Sequence, residues 1–301
     1  MRISLNPFAA LEHARNKRAW ERLSIKPMNT PELILPPEFH LGQDETALRE
    51  ILQADITLAV APFDYGNSAR GYMQRLKYSD FSSWPQNNSL ESLRPDIAFA
   101  GRHMYQKREL GIWHEKNKNP DAFGKKVAGQ LAQRMPHAAG QDDFLDSLKN
   151  GIDMATRQFG APDAFFLMIS NGWMPPPEKL TPHHDVGTGV RVFFNIQGAG
   201  TFVAAAGSFP KEQQTWEGHY DHRGYYHSYP AYPSFNKLAE GWRNPQGKAT
   251  ILSIPPEYIS AWKRGSETSE EEKNAPLPHA SAACRNQLRI NALMDFPNYR
   301  F

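Results

Sequence analysis

Three observations predict an α+β fold. A helical period runs through the stretch Asp142 to Phe159, where Phe144, Leu145, Leu148, Ile152, Ala155 and Phe159 fall on one face. Beyond residue 160 a period of two takes over: Val190, Val192, Phe194 and Ile196 alternate with Arg191, Phe193, Asn195 and Gln197. The 24 prolines and 21 glycines supply the many turns that a loop-rich β architecture needs. The 301 residues read as one domain, mainly helical with early strands over 1–160 and strand-rich over 161–301.

Taken in order, Phe8 to Leu23 predicts an amphipathic helix with Leu11, Ala14 and Trp20 on its apolar side. Lys26 to Pro37 carries Pro27, Pro31, Pro36 and Pro37 and cannot be regular helix. Asp44 is placed to cap a short helix whose apolar side is Leu48, Ile51 and Leu52. Ile56 to Ala61 is a short apolar run suited to a buried strand. Ser68 to Tyr78 mixes basic and aromatic residues. Its arginines could grip a substrate carboxylate, or the segment could be a solvated edge strand.

Gly160-Ala161-Pro162 stops the long helix. Phe165 to Ser170 predicts a buried strand, and Asn171-Gly172-Trp173 with three prolines turns into Thr181-Pro182-His183-His184-Asp185. Gly198 to Gly200 is a turn signal between the Val190–Ile196 strand and a returning one at Phe202 to Ala204. An insertion at about 209–246 is polar yet rich in Trp and Tyr, so its aromatics argue against disorder. Strands resume over Gly247 to Ile254 and Leu288 to Phe296, with a solvated acidic loop over Glu267 to Lys273.

Composition narrows the function classes. Hydrophobic residues are 40% and charged residues 22%, enough for a packed core. The net charge of +2 gives no electrostatic case for nucleic acid or an anionic membrane as partner. One cysteine, Cys284, excludes an intramolecular disulfide framework and suits a reducing compartment. With neither a signal-peptide core at Met1 to Pro7 nor a long apolar run, the expected location is cytoplasmic.

The chemistry-bearing residues are His183 and Asp185, a distant His279, and Arg289 ten positions beyond it. Two histidines and one carboxylate can occupy one face of an octahedral Fe(II), leaving positions open for substrate and oxygen. His184 competes with His183, but on a strand it points to the opposite side. His219-Tyr220-Asp221 is a second His-x-Asp, ranked lower because no alternating strand follows it, whereas one follows Asp185. Arg191 and Arg285 compete with Arg289 for an anion, and Asn195 lies on the same side of its strand as Arg191. Cys284 has no base nearby in sequence and reads as inert.

From Asn171 to Phe296, His-x-Asp, Gly-x-Gly-Thr, a distal His and Arg-x-Asn follow one another among strands. This order resembles the double-stranded β-helix (jelly-roll) core of the Fe(II)- and 2-oxoglutarate-dependent oxygenases, over about 130 residues. The resemblance implies that His183, Asp185 and His279 bind iron and act as the catalytic centre. It implies that Arg289 holds the far carboxylate of 2-oxoglutarate, with Asn291 where the family often has Ser or Thr. O₂ would be the oxidant, and a carboxylate at position 185 favours hydroxylation or desaturation over halogenation. The substrate would be a small molecule, amino acid or peptide side chain. The alternatives are a cupin-type metal dioxygenase or isomerase that needs no 2-oxoglutarate, and a jelly-roll binding module without catalysis. The insertion would then cover the metal as a lid or substrate wall, or pack on the fold as a surface elaboration.

Overall fold

The computed structural model describes residues 37–53, 55–85, 105–115, 118–172, 189–198, 200–204, 215–220, 226–231, 251–264, 277, 279–281 and 288–297. The long helix is there: α3 spans Gln141–Phe159 with all six predicted apolar residues buried. Each large side chain so buried contributes about 1.5–3 kcal/mol. Gly160, at φ +84°, stops the helix in a conformation open to glycine. Two further helices precede it, α1 over Gly66–Arg75 and α2 over Phe123–Ala132.

Two sheets make up the body of the fold. The larger takes seven strands in the order β1-β2-β10-β5-β12-β4-β3, parallel between β1 and β2 and antiparallel elsewhere. Their ranges are β1 Phe39–Leu41, β2 Leu58–Pro62, β3 Tyr105–Trp113, β4 Ala164–Gly172, β5 Val190–Gln197, β10 Tyr258–Lys263 and β12 Arg289–Phe296. The smaller sheet has the order β11-β6-β9, from His279–Ser281, Thr201–Ala204 and Ile251–Ile254.

The period of two divides the large sheet into two faces. Val190, Val192, Phe194 and Ile196 of β5 join Ile290, Ala292, Met294 and Phe296 of β12 beneath α1 and α3. Gly151 lets α3 approach closely, since a Cβ there would lie 2.8 Å from the rings of Phe194 and Phe63. The opposite face turns toward the small sheet, where Phe193, Met168, Leu58 and Trp262 pack with Val203 and Ile254. Both faces of β5 are therefore buried, although its pattern reads as half-polar.

Several expectations are corrected. Ser68 to Tyr78 is not an edge strand: most of it belongs to α1. Ala69, Tyr72, Met73 and Leu76 recur at helical spacing and are buried, so the apolar period outweighs the basic-aromatic alternation. The short helix after Asp44 is a 3₁₀ helix over Glu45–Leu52, capped as expected by Asp44 accepting from the Thr46 N–H. Leu48 and Ile51 are buried, but Leu52 is exposed, because three residues per turn rotate it away from them. Within the insertion, β7 (Thr215–Tyr220) pairs with β8 (Tyr226–Ala231) as an antiparallel hairpin, so a strand does follow His219-Tyr220-Asp221. The helix expected at 8–23 and the acidic loop at 267–273 lie outside the described residues.

Candidate active site

The interior between the two sheets holds a polar group in an otherwise apolar space. Register places Asn291 of β12 opposite Asn195 of β5, and Arg289 opposite Ser170 of β4. All four are buried. A short chain of hydrogen bonds crosses from one sheet to the other. Arg289 Nη2 donates to Thr201 Oγ1 at 3.0 Å, and Thr201 Oγ1 donates to Asn195 Oδ1 at 2.9 Å. Asn195 Nδ2 and Asn291 Oδ1 have no partner among the described residues, although both are buried. A buried polar atom left in that state costs about 1–3 kcal/mol, which a polar ligand would offset.

His279 enters the same space from the small sheet. It pairs with Val203 of β6, two positions from Thr201 on the same face. On an extended strand that offset is about 6.6 Å. His279 Nδ1 lies 3.1 Å from the Leu277 carbonyl, which can only accept. A neutral imidazole that donates from Nδ1 to this carbonyl would leave its Nε2 lone pair for a metal. The Trp262 ring lies against His279 at 5.0 Å between centroids and stacks on Phe193 at 5.3 Å. These rings wall the histidine with apolar surface.

The candidate residues do not all converge. His279, Arg289, Asn291 and Asn195 share the interior. Arg191 stands four positions from Asn195 along β5 and spans Asp295 with both Nε (2.7 Å) and Nη2 (2.8 Å), while Arg264 reaches the same carboxylate at 3.2 Å. The two contacts make a bidentate, charge-assisted pair. His183, Asp185 and Arg285 lie outside the described residues. Among the described residues no three His, Cys, Asp or Glu side chains gather as a metal set.

Thr201, Ser170 and Trp262 were missed in the sequence. Thr201 carried a signal, since it closes Gly198-Ala199-Gly200-Thr201 and starts a strand. Ser170 and Trp262 carried none, because the strand pairings that bring them inward join residues far apart in the chain. Charge on the helix side of the fold behaves simply: burial holds the Lys263 ammonium below its usual pKa, opposed by Asp55, and its Nζ donates to the Gln53 carbonyl at 2.6 Å.

No protein-family model matches the chain, and no curated protein matches it. Solved structures that resemble it are 2-oxoglutarate and Fe(II) oxygenases. The dioxygenase for auxin oxidation 1 from Arabidopsis thaliana, in a binary complex with 2-oxoglutarate, is 12% identical with a TM-score of 0.42, over 89% of this chain and 94% of its own. A prolyl-4-hydroxylase from Pseudomonas putida is 8% identical with a TM-score of 0.36, over 84% and 98%. The rice dioxygenase for auxin oxidation is 10% identical with a TM-score of 0.36, over 86% and 82%. Similarity at this level carries no argument about chemistry, which rests on the residues themselves.

Proposed function

We propose that this chain is an Fe(II)- and 2-oxoglutarate-dependent dioxygenase that hydroxylates or desaturates a small molecule, amino acid or peptide side chain. The observation that carries the reading is the placement of His279 and Arg289 in one interior, His279 beside Val203 of β6 and Arg289 bonded to Thr201 of the same strand. Strand order supports it. From β9 onward successive strands alternate between the small and the large sheet, as a double-stranded β-helix requires, and β4, β12, β5 and β10 lie side by side. His183 and Asp185 lie in the sequence between β4 and β5.

The residues fit the implied groups. His279, held at Nδ1 beside the Leu277 carbonyl, would offer Nε2 as a ligand, and His183 with Asp185 would complete a facial set. Arg289, with Thr201 and Asn195 behind it, would hold the far carboxylate, and Asn195 Nδ2, without a partner among the described residues, offers a donor. Bound iron with 2-oxoglutarate and O₂ would supply the oxidation of an unactivated C–H bond. The chain's own part is to orient and to keep dry. Arg289 fixes the dicarboxylate by charge, the Leu277 carbonyl fixes the His279 ring, and Phe193 and Trp262 exclude water beside it.

The test is succinate release with Fe(II) and 2-oxoglutarate across a panel of metabolites and peptides. Release that depends on one panel member and disappears in His279→Ala supports the reading. A cupin-type enzyme would turn over without 2-oxoglutarate and would be indifferent to Arg289→Ala.

A further inference from the structure

Glu257 has φ +65° and is the one non-glycine residue at positive φ among the described residues. Its side chain crowds the backbone in that region, and such strain persists only where surrounding contacts impose it. Three contacts do so. The Glu257 N–H donates to the Asn195 carbonyl at 2.7 Å, and the Glu257 carbonyl accepts from the Phe63 N–H at 2.9 Å. Arg70 Nε donates to Glu257 Oε1 at 2.6 Å. Arg70 is itself held by Asp64 and Asn67. The turn between β9 and β10 therefore ties α1, the end of β2 and β5 together.

Stability does not account for a glutamate here. A glycine would hold the same φ without strain, and an ion pair as exposed as Arg70–Glu257 contributes little to folding. What the pair provides is position. The β5 residue gripped by Glu257 is Asn195, whose side chain receives Thr201, which in turn receives Arg289. We infer that Glu257 is a positioning residue for the cosubstrate end of the site. Through Arg70 it locks the β9–β10 turn against β5, so that Asn195, Thr201 and Arg289 keep the spacing that receives a carboxylate. The inference rests on the 2-oxoglutarate reading above.

Amide hydrogen exchange over residues 195–201 of the full chain tests the lock without any cosubstrate, and 2-oxoglutarate kinetics test its purpose. Glu257→Gly and Arg70→Ala should each accelerate exchange there by about tenfold, as a local opening would. Both should raise the KM for 2-oxoglutarate several-fold with kcat nearly unchanged. Glu257→Gln keeps an oxygen for Arg70 Nε and should behave as wild type in both measurements. Unchanged exchange, or an unchanged KM in both loss variants, overturns the inference. Accelerated exchange in a protein whose wild type never binds 2-oxoglutarate upholds the lock and refutes the cosubstrate reading.

Discussion

Arg191 and Arg289 look alike in the sequence, each a basic residue on an alternating strand. Their cross-strand neighbours separate them. Arg191 meets Asp295 and forms a two-point ion pair toward the end of β12, while Arg289 sends one of its bonds inward to Thr201 Oγ1. Opposite phenotypes should follow. Arg289→Ala should raise the 2-oxoglutarate requirement sharply and leave iron binding intact, because losing a buried charged partner costs about 2–5 kcal/mol. Arg191→Ala should leave that requirement unchanged and lower the unfolding free energy by only roughly 1–3 kcal/mol, since Asp295 retains Arg264 at 3.2 Å. Steady-state kinetics and urea titration on the two variants decide the matter; a cosubstrate defect in Arg191→Ala alone would transfer the anchor to that strand.

Helices α1 and α3 carry two further tests. Tyr72 of α1 is buried and donates its hydroxyl to the Pro136 carbonyl at 2.9 Å. Burial, with Asp80 adding to it, pushes its pKa up from 10.0 to about 12. The folded state thus favours the neutral phenol. That stabilisation is complete below pH 10 and is lost as pH rises from about 10 to 12. Tyr72→Phe should cost about 1 kcal/mol at neutral pH through the missing hydrogen bond, and should flatten part of the alkaline loss in denaturation curves recorded across that window. Tyr65, raised by burial and by Glu257, keeps the rest of the loss in place. In α3, Gly151→Ala gains about 1 kcal/mol of helix propensity. It also drives a Cβ to 2.8 Å from two aromatic rings, and overpacking of that kind costs about 1–3 kcal/mol. The net effect should be a lower melting temperature; a rise would mean that the helix–sheet seam yields easily.

For the molecule as a whole, a metal that binds only the folded chain must raise its thermal stability. Saturating Fe(II) under anaerobic conditions, at about a hundred times Kd, should add roughly 2.7 kcal/mol, read as a rise of several degrees in melting temperature. Ala in place of His183, Asp185 or His279 should abolish the rise, because three protein ligands form the facial set. A rise that survives His183→Ala and disappears in His219→Ala would move the site to the second His-x-Asp. That outcome is a real alternative, because β8 follows His219-Tyr220-Asp221 as a strand. No helix among the described residues is long and apolar enough to cross a membrane.

The sequence by itself determined the elements whose signal is local. The one-sided apolar period of α3, the alternation of β5 and β12, the Asp44 cap and the stop at Gly160 all depend on near neighbours in the chain. It also offered His279, Arg289 and Asn195 as candidates by residue type and spacing, and Asn291 through the resemblance of its Arg-x-Asn pattern to the oxygenase family. Only the tertiary structure decided which of these share an interior. Strand pairing brings Arg289 to Ser170 and His279 to Val203 across many intervening residues, and no local period encodes that choice. It likewise decided that Ser68 to Arg75 curls as a helix, since Tyr72 and Met73 find their burial only against α3 and the sheet. The left-handed turn at Glu257 belongs with these: a glutamate there gives no sequence signal, and three long-range contacts impose its backbone.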